Sequence, residues 1–311
     1  MENNLAKSAY LVSVSIVNGG LLGERRDNAA SELVENTFDV AHRRAKASKY
    51  LIDRKHKQVK AVIAASQRVR ETVYKYTNPW GDDKSRLLVV DLKEIFDRKL
   101  DRDVQLLHEA WDDYVKVYPQ LVADSERDLG QLFERSQYPH VDQIRDKFSV
   151  KAYTWPLPQS HHFIAKIADN AALAAKEAIE QQIEERLLEA SADMVRRATD
   201  VVTTFVDRLE GFKKKDETSG AKSFRDSLVE NIQETACLIE AMNITSNPQI
   251  VKVVKQLQRL GKFSAWQLRN GERYRIDAIS EGQQILTNLA MLDLRDKEVA
   301  DMVSEAGEYM D

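Results

Sequence analysis

SELVENTFDVAHRRAKASKYLIDRKHKQVKAVIAASQRVRETVYKYT, residues 31–77, contains neither glycine nor proline. Within it Val34, Phe38, Ala41, Ala45, Ser48, Ile52, Lys55, Val59, Val62, Ser66, Val69, Val73 and Tyr76 step alternately by four and three residues, the spacing of a heptad. The stretch therefore predicts one helical rod of roughly 70 Å at about 1.5 Å per residue, imperfectly packed where Ser48, Lys55 and Ser66 enter the seam. Asn78-Pro79-Trp80-Gly81 ends it.

Outward from this rod, Leu92, Phe96, Leu100, Val104, Leu107, Trp111, Tyr114 and Tyr118 share one face of a second helix expected over 83–118, which Pro119 ends or kinks. A short connection makes the pair an antiparallel hairpin. On the N-terminal side, Leu11 to Val17 alternates Val12, Val14 and Ile16 before the turn Asn18-Gly19-Gly20, and reads as a strand. Its expected companion is Ser149 to Leu157. Helices are expected at 121–137, 140–148 and 160–209, the last alanine-rich in its first half, where a neighbour can approach closely. GFKKKDETSGA at 211–221 has loop composition. Beyond it come helices near 222–244, 247–260 (capped by Asn247, with Pro248 in its first turn) and 279–292.

The expected fold is thus mainly α: a long antiparallel helical hairpin or bundle with a small two-stranded β element over 1–210, a linker at 211–221, a smaller C-terminal helical unit over 222–292, and an acidic tail over 293–311. Composition agrees. The 311 residues are 31% charged and 43% hydrophobic, with only 11 glycines and 6 prolines, too few for a turn-dense β protein. The single cysteine, Cys237, can form no internal disulfide and is expected as a small core residue on a helix, which fits a reducing compartment. With no apolar run of membrane length and no signal-like segment, the expected location is the cytoplasm, or the host cytoplasm for a phage protein.

Motifs for chemistry are missing. The chain has no GxxxxGK[ST], HExxH or GxSxG. His161 and His162 point about 100° apart on a helix, and His42, His56, His108 and His140 have no ligand partner at i+3 or i+4. No catalytic residue, metal or cofactor is expected.

Charge is what stands out. The net value is only −4, yet Arg43, Arg44, Lys46, Lys49, Arg54, Lys55, Lys57, Lys60, Arg68 and Arg70 face a single acid, Asp53, between residues 43 and 70. A cationic face of that length can track a phosphate backbone by releasing counterions, and Tyr50, Tyr74, Tyr76 and Trp80 beside it offer stacking surfaces that favour single strands over duplex. The rival reading pairs these cations with the acid-rich segment Asp91 to Asp142. A second basic and aromatic segment holds Lys252, Lys255, Arg259, Lys262, Arg269, Arg273 and Arg275 with Phe263, Trp266 and Tyr274, or else Trp266 centres a satellite core. Lys213, Lys214 and Lys215 form a cationic loop, and Glu308, Tyr309, Met310 and Asp311 a short acidic end able to dock a partner enzyme or merely to fray.

The strand LVSVSIVNGG, the hairpin pattern and YPHVDQIRDKFSVKAYTWPLP at 138–158 resemble a phage and bacterial domain-of-unknown-function family over roughly residues 10–210. Arg145, Phe148 and Ser149 stand where that family has an RxxFS-like element. Its members are often encoded near MoxR-like AAA+ ATPases and von Willebrand A proteins, which implies an adaptor role in such a complex. More faintly, the chain resembles the helical single-stranded-DNA-binding RNA polymerase cofactors of N4-related phages. The expected function is non-enzymatic binding of single-stranded DNA, with a polymerase or replication protein as partner; the alternative is a scaffold for an AAA+ ATPase. The imperfect heptad leaves room for homo-oligomers.

Overall fold

The computed structural model describes residues 8–81, 85–157, 169–212, 226–292 and 294, without the side chains of 169–177 and 180. The chain is mainly helical, as expected, with a four-stranded and a two-stranded sheet. In chain order the elements are β1 (Ala9–Asn18), β2 (Glu24–Asp27), α1 (Asn28–Thr37), β3 (Ala47–Tyr50), α2 (Lys57–Tyr76), β4 (Asn78–Pro79), β5 (Arg86–Val89), α3 (Lys93–Leu129), α4 (Val141–Ile144), β6 (Phe148–Pro156), α5 (Asp169–Glu210), α6 (Ser227–Met242), α7 (Pro248–Leu260), α8 (Ala265–Asn270) and α9 (Glu272–Ala290). The larger sheet has the order β4-β5-β1-β6, so the two expected strands are neighbours, and β2 and β3 form the smaller one.

Two compact units result. The first draws on residues within 1–12, 76–93 and 154–311, and the second on 13–75 and 94–153. The expected linker lies almost wholly outside the described residues, as does the tail.

The first unit is built on α5. Met194, Ala198, Val202, Phe205 and Leu209 bury one face of it against Ile232 and Ile239 of α6, Val253 and Leu257 of α7, and Ile285 and Leu289 of α9. The approach of α9 is close enough that a Cβ on Gly282 would fall 2.5 Å from Val206 Cγ2. Antiparallel pairing of β1 with β5 sets Ala9 opposite Val89 and Leu11 opposite Leu87, and β4 adds on the far side of β5. Arg197 fixes β4 to α5: it donates to Thr77 O at 2.7 Å while pairing with the buried Asp193 at 2.7 Å. Asn247 accepts from Gln249 N at 2.9 Å and Pro248 opens α7, the cap expected there.

In the second unit the expected rod over 31–77 is not one helix. It stops at Thr37, resumes as strand β3 and becomes helical again only at Lys57. Between these pieces Asp39 and Arg43 take left-handed backbone (φ 51° and 64°), incompatible with a continuing helix. Two of its expected seam residues, Val34 and Phe38, face solvent. Heptad spacing survives where the helix does: Val59, Val62, Ser66, Val69, Val73 and Tyr76 are all buried. The second helix begins ten residues later than expected because Leu87-Leu88-Val89 is a buried strand, a run that periodicity cannot distinguish from helix. It also passes through Pro119, giving up one backbone bond, and ends at Leu129.

Helices α2 and α3 run antiparallel. Thr72 donates to the buried Asp103 at 2.6 Å, and one turn or more further along, Ser66 and Trp111 meet at Asn18. Around Trp111 the aromatics pack tightly: Phe148 stacks on it at 5.4 Å and meets Tyr114 edge-on at 5.6 Å. Arg145, two residues after Gln143 in the segment that carries the family resemblance, pairs with Asp112. Tyr138 donates to Leu51 O at 2.7 Å, holding the segment after β3 in place.

The Tyr114 hydroxyl is buried with no hydrogen-bond partner among the described residues, and desolvation raises its pKa. A buried unmet hydroxyl costs about 1–3 kcal/mol. Tyr114→Phe is therefore expected to hold or raise the melting midpoint in urea, whereas Gly282→Val lowers it through the clash with Val206; a Tyr114→Phe variant destabilised by more than ~1 kcal/mol contradicts the assignment.

Candidate nucleic-acid interface

The segment 24–50 folds locally because β2 and β3 pair antiparallel, with Arg25 opposite Lys49 and Asp27 opposite Ala47. On one side of this ribbon Lys49 reaches diagonally to Asp27 at 2.7 Å, both side chains a tenth exposed or less, and also donates to Leu132 O. Asp27 simultaneously caps α1 by accepting from Ala30 N at 2.9 Å. On the other side stand Arg26, Ser48 and Tyr50, all exposed. Arg54 lies over the Tyr50 ring at 5.2 Å, keeping that aromatic face beside a cation.

Loop 38–46 follows α1 and is tied to it. Val40 N donates to Glu35 O at 2.9 Å, His42 Nδ1 lies 3.3 Å from the buried Glu35 carboxylate, and Ala47 N donates to Ser31 Oγ at 3.0 Å. Arg43, Arg44 and Lys46 project from this loop into solvent. Arg54 and Lys55 sit in the turn before α2. On α2, Lys57, Lys60 and Arg68 fall on the face opposite the buried Val62 and Val69, while Arg70 and Tyr74 lie on its flank.

Nine cations, Arg43, Arg44, Lys46, Arg54, Lys55, Lys57, Lys60, Arg68 and Arg70, are exposed, and none has a carboxylate within 4 Å among the described residues. Four acids of α3 pair elsewhere: Asp113 with Lys116, Asp124 and Asp128 with Arg127, and Asp112 with Arg145. Pairing between the basic stretch and the acid-rich helix is thus not what these side chains do. The cations do not form one helical stripe, because loop, strand, turn and helix each carry some of them, and Lys49 is a buried structural ion rather than a surface charge. Tyr76 and Trp80 are likewise buried, while Tyr50 and Tyr74 are 42% and 56% exposed. Arg25 and Arg26, exposed on β2, belong with the group although they fall outside the stretch that charge density marked.

The first unit carries its own basic and aromatic surface. Trp266 on α8 is 71% exposed and Tyr274 on α9 is 43% exposed, so Trp266 is no satellite core. Lys262 and Arg273 are exposed beside them in sequence. Arg269 instead pairs with Asp226, and Arg275 donates to Leu268 O and lies over Phe212 at 5.1 Å; both serve structure. Cys237 is exposed, one position off the buried row Val229, Ile232, Ala236 and Ile239, and not in the core as expected. Lys213, Lys214, Lys215, His161, His162 and Glu308, Tyr309, Met310 and Asp311 lie outside the described residues.

Among the described residues no three His, Cys, Asp or Glu side chains gather as metal ligands, and no helix is long and apolar enough to cross a membrane. No protein-family model, curated protein or solved structure matches the chain.

The Ala30 N–H and then the Lys49 ammonium hold the Asp27 carboxyl below the ordinary carboxylate range. A lowered folded pKa contributes stability that is fully present above the unfolded value of about 3.9 and disappears as pH falls through the folded value. Melting temperatures of the parent and Asp27→Asn are expected to differ at neutral pH and to converge on acidification below about pH 4; a gap that ignores pH excludes this role.

Proposed function

We propose that the chain binds single-stranded DNA through the exposed cations of loop 38–46, the turn before α2, and α2 itself, with Tyr50 and Tyr74 as stacking surfaces. The observation that carries this reading is the absence of carboxylate partners for nine exposed cations between residues 43 and 70 among the described residues. Such charges gain little from internal pairing and gain most from a polyanion that releases counterions as it binds. Exposed phenol rings next to them favour unpaired bases, whose faces are accessible, over duplex, whose faces are stacked. From Lys57 to Arg70 the helix spans about 20 Å, enough for several phosphates of an extended strand.

Trp266, Tyr274, Lys262 and Arg273 provide a second surface of the same chemistry on the first unit. The reading extends to the acidic end, Glu308 to Asp311, as a contact for a polymerase or replication protein.

Titration with labelled single-stranded and duplex oligonucleotides at two salt concentrations tests it. Engagement of about six phosphates predicts an affinity loss on the order of 10²- to 10³-fold between 50 and 200 mM salt. Replacing Arg43, Arg44, Lys46 and Arg54 together by Ala is expected to remove most single-strand affinity and flatten the salt dependence. Equal binding by this variant and the parent rules the surface out. Absence of any shift at low salt, together with co-purification of an AAA+ ATPase, selects the scaffold reading instead.

A further inference from the structure

The turn between β1 and β2 borders an open groove of about 420 Å³ in the second unit. Its apolar lining comes from Ile16, Val17 and Leu22 around the turn and from Ile63 of α2. Its polar groups are the Asn18 amide, the Ser66 hydroxyl and, exposed, the Arg70 guanidinium. Small-ligand clefts run from about 300 to 1,000 Å³, mostly apolar with a few placed polar groups, and this groove has that size and make-up.

Its polar groups are unequally committed. Asn18 Nδ2 donates to Ser66 Oγ at 2.9 Å, and its Oδ1 accepts from Trp111 Nε1 at 3.0 Å. The amide is therefore fixed in orientation by two partners, and Nδ2 carries a second N–H. Arg70 has no carboxylate within 4 Å among the described residues. Gly20 and Gly23 line its edge, where a Cβ on either would meet nothing within 4 Å. Directly after Gly23 the chain carries the exposed pair Arg25 and Arg26.

The geometry points to a nucleotide-binding subsite, in which one base of a bound strand leaves the stack and inserts against the apolar lining, with its phosphate on Arg70. This rests on the single-strand reading above and adds to it a place where a base, and not only the backbone, is held. Apolar walls around a flat ring, an oriented amide for its edge and an uncompensated cation for its phosphate are what recognition of an unstacked base requires. An apolar peptide in the same groove leaves Arg70 without a counter-charge.

Gly23 gives the cleanest variant, since its backbone lies outside the left-handed region and the space beyond it is open. Gly23→Phe sets a bulky ring at the edge of the groove without backbone strain; Arg70→Gln removes the phosphate contact and keeps most of the side chain's reach. The first readout is affinity for an oligothymidylate against an abasic oligomer of equal length. The parent is expected to prefer the bases by about tenfold or more, and Gly23→Phe to lose much of that preference while binding the abasic chain unchanged. The second readout is the Trp111 indole N–H resonance, which reports on Asn18. Thymidine monophosphate is expected to shift it saturably in the parent, weakly in Arg70→Gln and not in Gly23→Phe.

A silent Trp111 resonance in the parent, or the same shift in Gly23→Phe, overturns the subsite. If the parent binds abasic and base-bearing chains equally well, the subsite falls and backbone binding stands. If neither polymer binds, backbone binding falls, and the mononucleotide titration still decides the groove by itself.

Discussion

The carboxamide of Asn18 is where the second unit is tied together. It ends a strand, and from that position it bonds at once to Ser66 on α2 and to the indole of Trp111 on α3. Both helices are amphipathic cylinders that slide and rotate cheaply against each other when only aliphatic contacts hold them. A planar amide with directional partners on each fixes their register, and the Thr72–Asp103 bond repeats the constraint further along. The left-handed glycines 19 and 20 that follow let the chain turn away immediately, so the amide is not pulled out of place. The aromatic cluster of Trp111, Tyr114 and Phe148 packs behind it.

Against that rigid frame the distribution of charge takes on meaning. On helix α3, Asp112, Asp113, Asp124 and Asp128 pair with bases on its own surface or in the segment leading to β6. Among the described residues, the nine exposed cations between 43 and 70 meet no carboxylate. In a high dielectric their mutual repulsion is small, so the fold tolerates them, yet they form a surface whose potential is relieved only by an external anion. Lys49 is the instructive exception. One residue from the exposed Tyr50, it turns inward to Asp27 and becomes part of the frame.

Much of the architecture was legible. The β1 strand and its turn, the β6 strand, the Asn247 cap and the core face of α3 all follow from local patterns that tertiary structure left undisturbed. The rod over 31–77 was not legible, because its heptad spacing is satisfied by coincidence through the loop. Ser48 and Lys55, polar residues in the supposed seam, were the signal: they belong to a strand and a turn. The site was legible in composition and not in geometry. Charge density singled out nine residues that are in fact exposed and one that is buried, and it passed over Arg25 and Arg26, which approach the others only through strand pairing. Nothing in the sequence marked the groove, since Asn18, Ser66 and Trp111 are distant along the chain.

The two left-handed residues of loop 38–46 have one more consequence. Neither Asp39 nor Arg43 is a glycine, so this shape is not one the chain drifts into; it is imposed by the bonds to Glu35, Ser31 and Ala41. Arg43, Arg44 and Lys46 therefore leave a backbone already set before any partner arrives. Ordering cost is withdrawn from the association step, and differences in affinity among partners of this loop should be written in how long they stay rather than in how often they succeed on encounter.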